Sequence, residues 1–242
     1  MPGLSQADLD LLRKYDTPTI CNVIELFEVR PHNAGYMDAR IRACFPELPP
    51  MVGYASTATF RSAGPARSGD VYTSIDRQVD QFGELPGPPV VVFQDLDSPT
   101  ASATFGEVMC SCYKAFGAAG LITSGAARDL DQVRAFKFPA FSDGTICSHG
   151  YAHTLDLKVP VHVGGITVYP GDLLHGDCNG VATIPAEIAS EVAHLCAEYV
   201  EAEMVVINYA RGPSPTPKGL GEARAECGRR FKEMAARIKG QK

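Results

Sequence analysis

The sequence predicts an α/β protein, and three observations carry that expectation. Strand-like apolar runs at 52–61 and 89–95 (PVVVFQD) end in turn-forming residues. Helix-like segments with apolar residues three and four apart lie around and between them. From 139 to 185, short β-like runs alternate with Gly and Pro turns, and helical patterns then close the chain.

Taken in order, 4–14 reads as a short amphipathic helix, with Ser5 as N-cap and Asp8 and Asp10 near its positive end. Thr17-Pro18 punctuates it, and 19–27 reads as a second helix. Residues 28–50 are loop-like, and 52–61 alternates as a strand. Gly69-Asp70 opens a helix expected to run to Phe82, and 83–88 is a turn-rich bridge. A helix is expected from about 106 to 116, then a Gly-containing turn and a short buried strand. The pattern over 186–209 is a long helix. A Pro-rich linker at 212–217 precedes a last helix near 221–239. The division is therefore a single domain over 1–210 and a linker with an amphipathic helix over 211–242.

That last helix carries a narrow apolar stripe, Ala223, Cys227, Phe231, Met234 and Ile238. Pro213, Pro215 and Pro217 make a stiff spacer before it, so the helix has the reach to dock on a neighbouring subunit as well as on its own domain. Charge follows the same division. Residues 211–242 hold nine Lys/Arg against three Glu, a charge of +6, and the rest of the chain carries −12 within a total of −6. The acidic total argues against a nucleic-acid surface and against an anionic membrane. The eight cysteines form no C-x-x-C and no zinc-like pairs, and most lie in apolar surroundings. With no N-terminal apolar segment and no span-length apolar run, the expected compartment is the reduced cytoplasm.

The chemistry concentrates at 106–129. Glu107 opens the expected helix, and twenty residues separate it from Arg128-Asp129. A strand returning beside that helix can bring Arg128 and Asp129 to its N-terminus. Free amides there bind a carboxylate, and two acids beside them can hold a divalent cation. Arg128 adds a planar fork suited to a carboxylate or an enolate. The amides of Glu107, Val108 and Met109, after Gly106, form the candidate anion cradle. A plain N-cap or first-turn carboxylate is the competing explanation for Asp129.

Other polar residues carry less. His149 and His153 are four apart, but the intervening Gly150 and turn context argue against a helical zinc pair. Asp172 and Asp177 sit in Gly-Asp turn contexts. Asp95 and Asp97 follow a buried strand, where lining a pocket and loop solvation are equally compatible. No G-x-G-x-x-G after a strand, no G-x-x-x-x-G-K-[ST] and no G-x-S-x-G is present.

The acid–twenty-residue–Arg-Asp pattern on Glu107, Arg128 and Asp129 resembles that of the RraA-like family, which includes 4-hydroxy-4-methyl-2-oxoglutarate aldolases and related oxaloacetate decarboxylases. The resemblance extends to GYASTA at 53–58, PVVVFQD at 89–95 and PVHVGGITVYPGDLLHGDCNGVATIP ending at 185, and covers about 17–187. It implies a layered β/β/α domain of the swivelling type, assembled as a homotrimer or homohexamer. It also implies a Mg2+- or Mn2+-dependent lyase acting on a small 2-oxo acid through a pyruvate enolate. Asp129 would bind the metal directly and Arg128 the substrate. The family's second acid is usually Asp, reaching the metal through water, and Glu107 is one methylene longer, so direct ligation and a water-mediated contact both stay open. Asn22 and Asn179 stand where relatives often have Asp, so acidic roles there are absent. The family also contains a regulator that inhibits RNase E by protein contact. A non-catalytic binding protein is therefore the competing expectation. Some relatives have carried a methyltransferase label, but the chain has no Gly-rich adenosine-binding loop to support one.

Overall fold

A computed structural model describes residues 3–68 and 72–240 of the 242-residue chain. In chain order the elements are α1 (Gln6–Leu12), α2 (Thr17–Glu25), β1 (Arg42–Ala43), β2 (Met51–Arg61), α3 (Ile75–Asp80), β3 (Pro89–Asp95) and β4 (Ala103–Phe105). There follow α4 (Glu107–Ala115), β5 (Gly120–Thr123), β6 (Ala126–Ala127), α5 (Leu130–Ala135), β7 (Ala140–Ser142) and β8 (His153–Leu157). The chain closes with β9 (Val161–Val163), β10 (Ile166–Val168), β11 (Leu173–Asp177), β12 (Gly180–Ile184), α6 (Ala189–Ala210) and α7 (Pro217–Gly240).

Ser5 caps α1 as expected, its hydroxyl accepting the Asp8 amide. The second helix begins two residues earlier than expected. Asp16 is its N-cap, and Pro18 sits in the first turn, where a missing N–H costs nothing. α3 is shorter than expected and passes into a 3-10 turn at Gln81–Glu84; the expected opening at Gly69-Asp70 lies outside the described residues.

The main sheet runs β1-β7-β5-β3-β2-β11-β12, with β8 also pairing β2. β2, β3, β5 and β7 are mutually parallel, while β8, β11 and β12 run antiparallel to their neighbours. Alternate residues of the parallel strands face opposite layers. Val91, Phe93 and Leu121 pack on one side with α4 residues Cys110 and Tyr113 and with Val133 of α5. Val90, Val92 and Ile122 pack on the other against Val161, Val163 and Val168 of the β9–β10 hairpin. That is the β/β/α layering, and it explains why β2 is buried along almost its whole length instead of showing a solvent face.

A third core joins α1, α2, α6 and α7. Of the two dockings the sequence leaves open, the single chain shows the one on its own domain. α7 begins at Pro217 and folds back on α6 of the same chain, burying Ala223, Cys227, Met234 and Ile238. Tyr199 stacks on Phe231 at 4.4 Å, Arg237 pairs with Glu198, and the Tyr209 hydroxyl accepts the Thr216 amide at the reversal. The prolines thus shape a tight return, and the apolar stripe is consumed within the chain. None of the described helices is long and apolar enough to cross a membrane.

Within this part of the core, His175 on β11 is fully buried. Its Nδ1 accepts the Thr17 hydroxyl at 2.9 Å, so Nε2 carries the proton towards the Leu12 carbonyl at 3.2 Å. Burial holds its pKa below the ordinary 6.5, outweighing the pull of the Leu12 carbonyl and Asp177. The folded state therefore binds fewer protons than the unfolded chain below pH 6.5, and stability falls as pH falls through that range. Thermal unfolding followed from about pH 7 to about pH 5 should show a declining Tm. His175→Gln should flatten that decline while lowering Tm at neutral pH.

Candidate functional site

The parallel strands β3 and β5 end at Asp95 and Thr123, and the chain beyond them builds the site at the carboxyl edge of the sheet. After β5 the chain steps off the main sheet. Ala126 and Ala127 pair in parallel with Ala103 and Phe105 of β4, forming a separate two-stranded ribbon. One strand of that ribbon leads into Gly106 and α4, and the other leads into Arg128, Asp129 and α5. The Arg128 amide donates to the Phe105 carbonyl at 3.1 Å, which fixes the two exits side by side. At the far ends of the helices, Lys114 of α4 donates to the Phe136 carbonyl after α5.

Asp129 is placed by an unusual backbone. It adopts a left-handed conformation, φ 54° and ψ 40°, which Asp tolerates better than most residues. Its carbonyl still accepts the Val133 amide at 3.0 Å and so starts α5, but its side chain does not cap that helix. The carboxylate turns instead to α4, where Oδ2 accepts the Glu107 amide at 3.0 Å. The N-cap explanation for Asp129 fails on this geometry. The carboxylate thus satisfies a free amide at the start of α4 and ties the beginnings of the two helices together.

Gly106 makes the approach possible. A Cβ there would lie 2.4 Å from Asp129 Oδ2 and 3.0 Å from Arg128 Nε. Both atoms belong to side chains and not to the backbone, so the fold can absorb a methyl group while the site cannot. Gly106→Ala should therefore leave Tm nearly unchanged and displace the Asp129 carboxylate, reducing any activity of the site by at least about tenfold, the loss expected from roughly 1.4 kcal/mol of misplacement. Retained activity together with a retained fold would show that the close approach is unimportant.

The remaining expected residues fall as follows. Arg128 and Asp129 are 31% and 32% exposed, and Arg128 Nε is 3.7 Å from Asp129 Oδ2, an ion pair without a tight hydrogen bond. The rest of the guanidinium fork is uncommitted among the described residues. Glu107 is exposed, and its carboxylate has no hydrogen bond or ion pair among the described residues. The expected three-amide cradle needs correcting: the Glu107 amide is already taken by Asp129, which leaves those of Val108 and Met109 at the helix start. Val108 is 69% exposed, so this face is open in the single chain.

No three His, Cys, Asp or Glu side chains converge in a metal-like group among the described residues. His149 Nδ1 meets the neighbouring Gly150 carbonyl, and the His153 ring packs at a tilt against Tyr72. Asp172 accepts the Tyr169 amide in its turn, and Asp177 accepts the Thr17 amide. A cavity of about 520 Å³ lies between the segment after α2 and the helices α6 and α7, lined by Phe27, Leu195, Met234 and Ile238. It shares no residue with the Arg128–Asp129 site. The latter, where charge, free amides and backbone strain coincide, is the candidate site.

Two residues at the site were not singled out by sequence reasoning. Gly125 admits the side chains of Thr104 and Asp95, either of which a Cβ would strike, and a glycine following a buried strand was the available signal. The second is Thr104, buried in β4 of the ribbon itself.

The match to known proteins agrees with this architecture. A family model for RraA-like proteins (Aldolase/RraA) matches residues 17–183, and the chain belongs to that family. A Halalkalibacterium halodurans protein with the provisional name 4-hydroxy-4-methyl-2-oxoglutarate aldolase is 32% identical over 123 residues, covering 50% of this chain and 59% of that protein. An uncharacterised Methanocaldococcus jannaschii protein is 34% identical over 92 residues, covering 38% of this chain and 44% of that one. The chain thus spans about half the length of these curated relatives. Among solved structures, an uncharacterised protein from Pseudomonas syringae pv. tomato superposes with a TM-score of 0.70 at 23% identity, covering 92% of this chain and 95% of that chain. RraAS2 of Streptomyces coelicolor, described as an unusual member of the RNase ES inhibitor RraA family, gives 0.65 at 22% identity, covering 84% and 97%. At those identities the two structures speak for the fold.

Proposed function

We propose that this protein is a divalent-metal-dependent carbon–carbon lyase that cleaves a small 2-oxo acid through a pyruvate enolate, in the manner of 4-hydroxy-4-methyl-2-oxoglutarate aldolase. The observation that carries this reading is the convergence of the Asp129 carboxylate, the Arg128 fork and the α4 N-terminus around Gly106. The provisional aldolase names of the relatives support the same reaction class.

The donors fit a hard cation. One Asp129 oxygen holds the Glu107 amide, leaving the other for an ion, with the Glu107 carboxylate on the adjoining helix residue. One or two carboxylates plus water and substrate oxygens suit Mg2+ or Mn2+, whereas zinc favours a closed His/Cys set. Such an ion, when bound, supplies Lewis-acid polarisation of the 2-oxo group. Arg128 holds the negative charge that develops on the enolate oxygen, and the amides of Val108 and Met109 hold the substrate carboxylate. In aldol cleavage Glu107, directly or through a water, takes the proton from the C4 hydroxyl. The C3–C4 bond electrons become the enolate, and protonation at C3 yields pyruvate. Decarboxylation of oxaloacetate passes through the same enolate and needs no such base.

The acid, arginine and aspartate are all present, which favours an enzyme over a regulator acting by protein contact alone. The reading takes the assembly as a homotrimer or homohexamer, with a neighbouring copy closing the open face beside Val108. Pyruvate release is the test, using 4-hydroxy-2-oxo acids and oxaloacetate with Mg2+, with Mn2+ and with chelator. Release that requires the metal is expected. A protein that binds the ion and releases no pyruvate from any of them would overturn the proposal.

A further inference from the structure

Beneath the Arg128–Asp129 turn lies a polar cluster that the lyase reading does not use. Asp95, the last residue of β3, donates its amide to Ser124 Oγ at 2.9 Å and accepts the Asp97 amide on Oδ1 at 3.0 Å. Its Oδ2 is buried and has no hydrogen-bond partner. On the other side of Gly125, a chain of donors runs in one direction. The Gly125 amide donates to Thr123 Oγ1 at 2.9 Å, and the Thr123 hydroxyl donates to Thr104 Oγ1 at 3.1 Å. The Thr104 hydroxyl proton is then left for a further acceptor. A Cβ built on Gly125 would lie 2.2 Å from Thr104 Oγ1 and 2.7 Å from Asp95 Oδ2, so both oxygens border the same space. A buried donor without an acceptor therefore faces a buried acceptor without a donor, an arrangement folded proteins seldom keep without a function.

The location gives that arrangement a consequence. Thr104 lies in β4, two residues before Gly106, and Gly125 lies three residues before Arg128. These two segments carry every group of the candidate site. We propose that Asp95 is a positioning residue: its carboxylate ends the Gly125–Thr123–Thr104 chain and so sets how β4 presents Gly106 and how β6 presents Arg128 and Asp129. The geometric claim stands on these contacts, and only the identity of the reaction it affects rests on the lyase reading.

The charge state of Asp95 supplies a readout. Burial, opposed by the Asp97 amide and aided by the Asp97 charge, pushes its pKa up to about 6, with the Thr100 hydroxyl pulling the other way. The Thr123–Gly125 turn and β4 bring only hydroxyls and amides towards it. The Asp97 carboxylate is itself held by the amides of Ser62 and Ala63. β2 on the other side ends in Arg61, which donates to the Tyr72 hydroxyl beside His153. On this proposal ionised Asp95, whose Oδ2 borders the Thr104 hydroxyl across the space beside Gly125, takes that hydroxyl as its donor. Protonated Asp95 carries a proton of its own, so it becomes a donor towards Thr104 and the one-way order of the chain is lost.

The experiment follows the backbone amide resonances of Gly106, Glu107 and Arg128 in the full chain as pH is varied, alongside the pH profile of pyruvate release. In the wild type these resonances should move with a midpoint near 6, and kcat/KM should show a limb there. Asp95→Asn should remove that midpoint from both. Thr104→Val keeps the carboxyl and cuts the chain, so Asp95 should still titrate while the three amides no longer follow it; this variant decides the question if Asp95→Asn does not fold. A midpoint that is absent from the wild type, persists in Asp95→Asn, or is still followed by the amides in Thr104→Val overturns the proposal. A wild type that releases no pyruvate yet shows the amide coupling would refute the lyase reading and leave the positioning role supported.

Discussion

Asp129→Asn is expected to lower the affinity for Mg2+ or Mn2+ by at least about 100-fold, the upper range seen even for groups that only support a metal ligand, and to remove metal-dependent pyruvate release. The fold should survive. The asparagine carbonyl can accept the Glu107 amide as Asp129 Oδ2 does, and asparagine tolerates the left-handed backbone found at this position. What is lost is the negative charge and the second anionic oxygen, which are the properties a hard cation requires. Calorimetric titration of the ion and pyruvate release at limiting Mg2+ measure the two effects separately. Unchanged values in both would remove Asp129 from the metal set.

Arg128→Ala carries the second large effect. Both aldol cleavage and oxaloacetate decarboxylation should fall by about 10²–10³-fold, the loss typical of removing one donor to a developing oxyanion. The guanidinium is one-third exposed and only loosely paired with Asp129, so little of its donor capacity is spent within the protein. Arg128→Lys should restore little of the loss, because a point charge cannot reproduce the planar fork. Glu107→Gln should separate the two reactions. Its loss should be greater in aldol cleavage, where a hydroxyl proton must leave, than in decarboxylation, where none does. Equal losses would make Glu107 a group that chiefly positions the ion.

The candidate site was legible in the sequence because Glu107 and Arg128-Asp129 flank one helix and the strand that returns beside it, although the short β6 also intervenes. Its fine geometry was not. The left-handed turn at Asp129 puts the carboxylate on the Glu107 amide, which removes one of the three amides expected to bind substrate. β6 is two residues long, too short for any periodicity, and exists because β4 lies alongside to pair with it. The alternation over 52–61 predicts a strand with one open face, yet layers pack on both faces of β2 and bury it, and no local pattern records them. The stripe on α7 looks the same whether its partner is in the same chain or another. Only the return at Gly212–Thr216 and the Tyr199–Phe231 stack distinguish the two. Asp95 could not be separated from a solvated loop acid by sequence, because its burial depends on Gly125 and Thr104 from other segments.

The most direct measurement is exchange of the pyruvate C3 protons with deuterated solvent, followed by NMR in the presence of Mg2+ or Mn2+. It reports enolate formation without requiring the natural substrate to be known. The account predicts exchange catalysed by the wild type, abolished by chelator and by Asp129→Asn, and strongly reduced by Arg128→Ala. Pyruvate that binds beside the ion yet exchanges no faster than with the ion alone would contradict it.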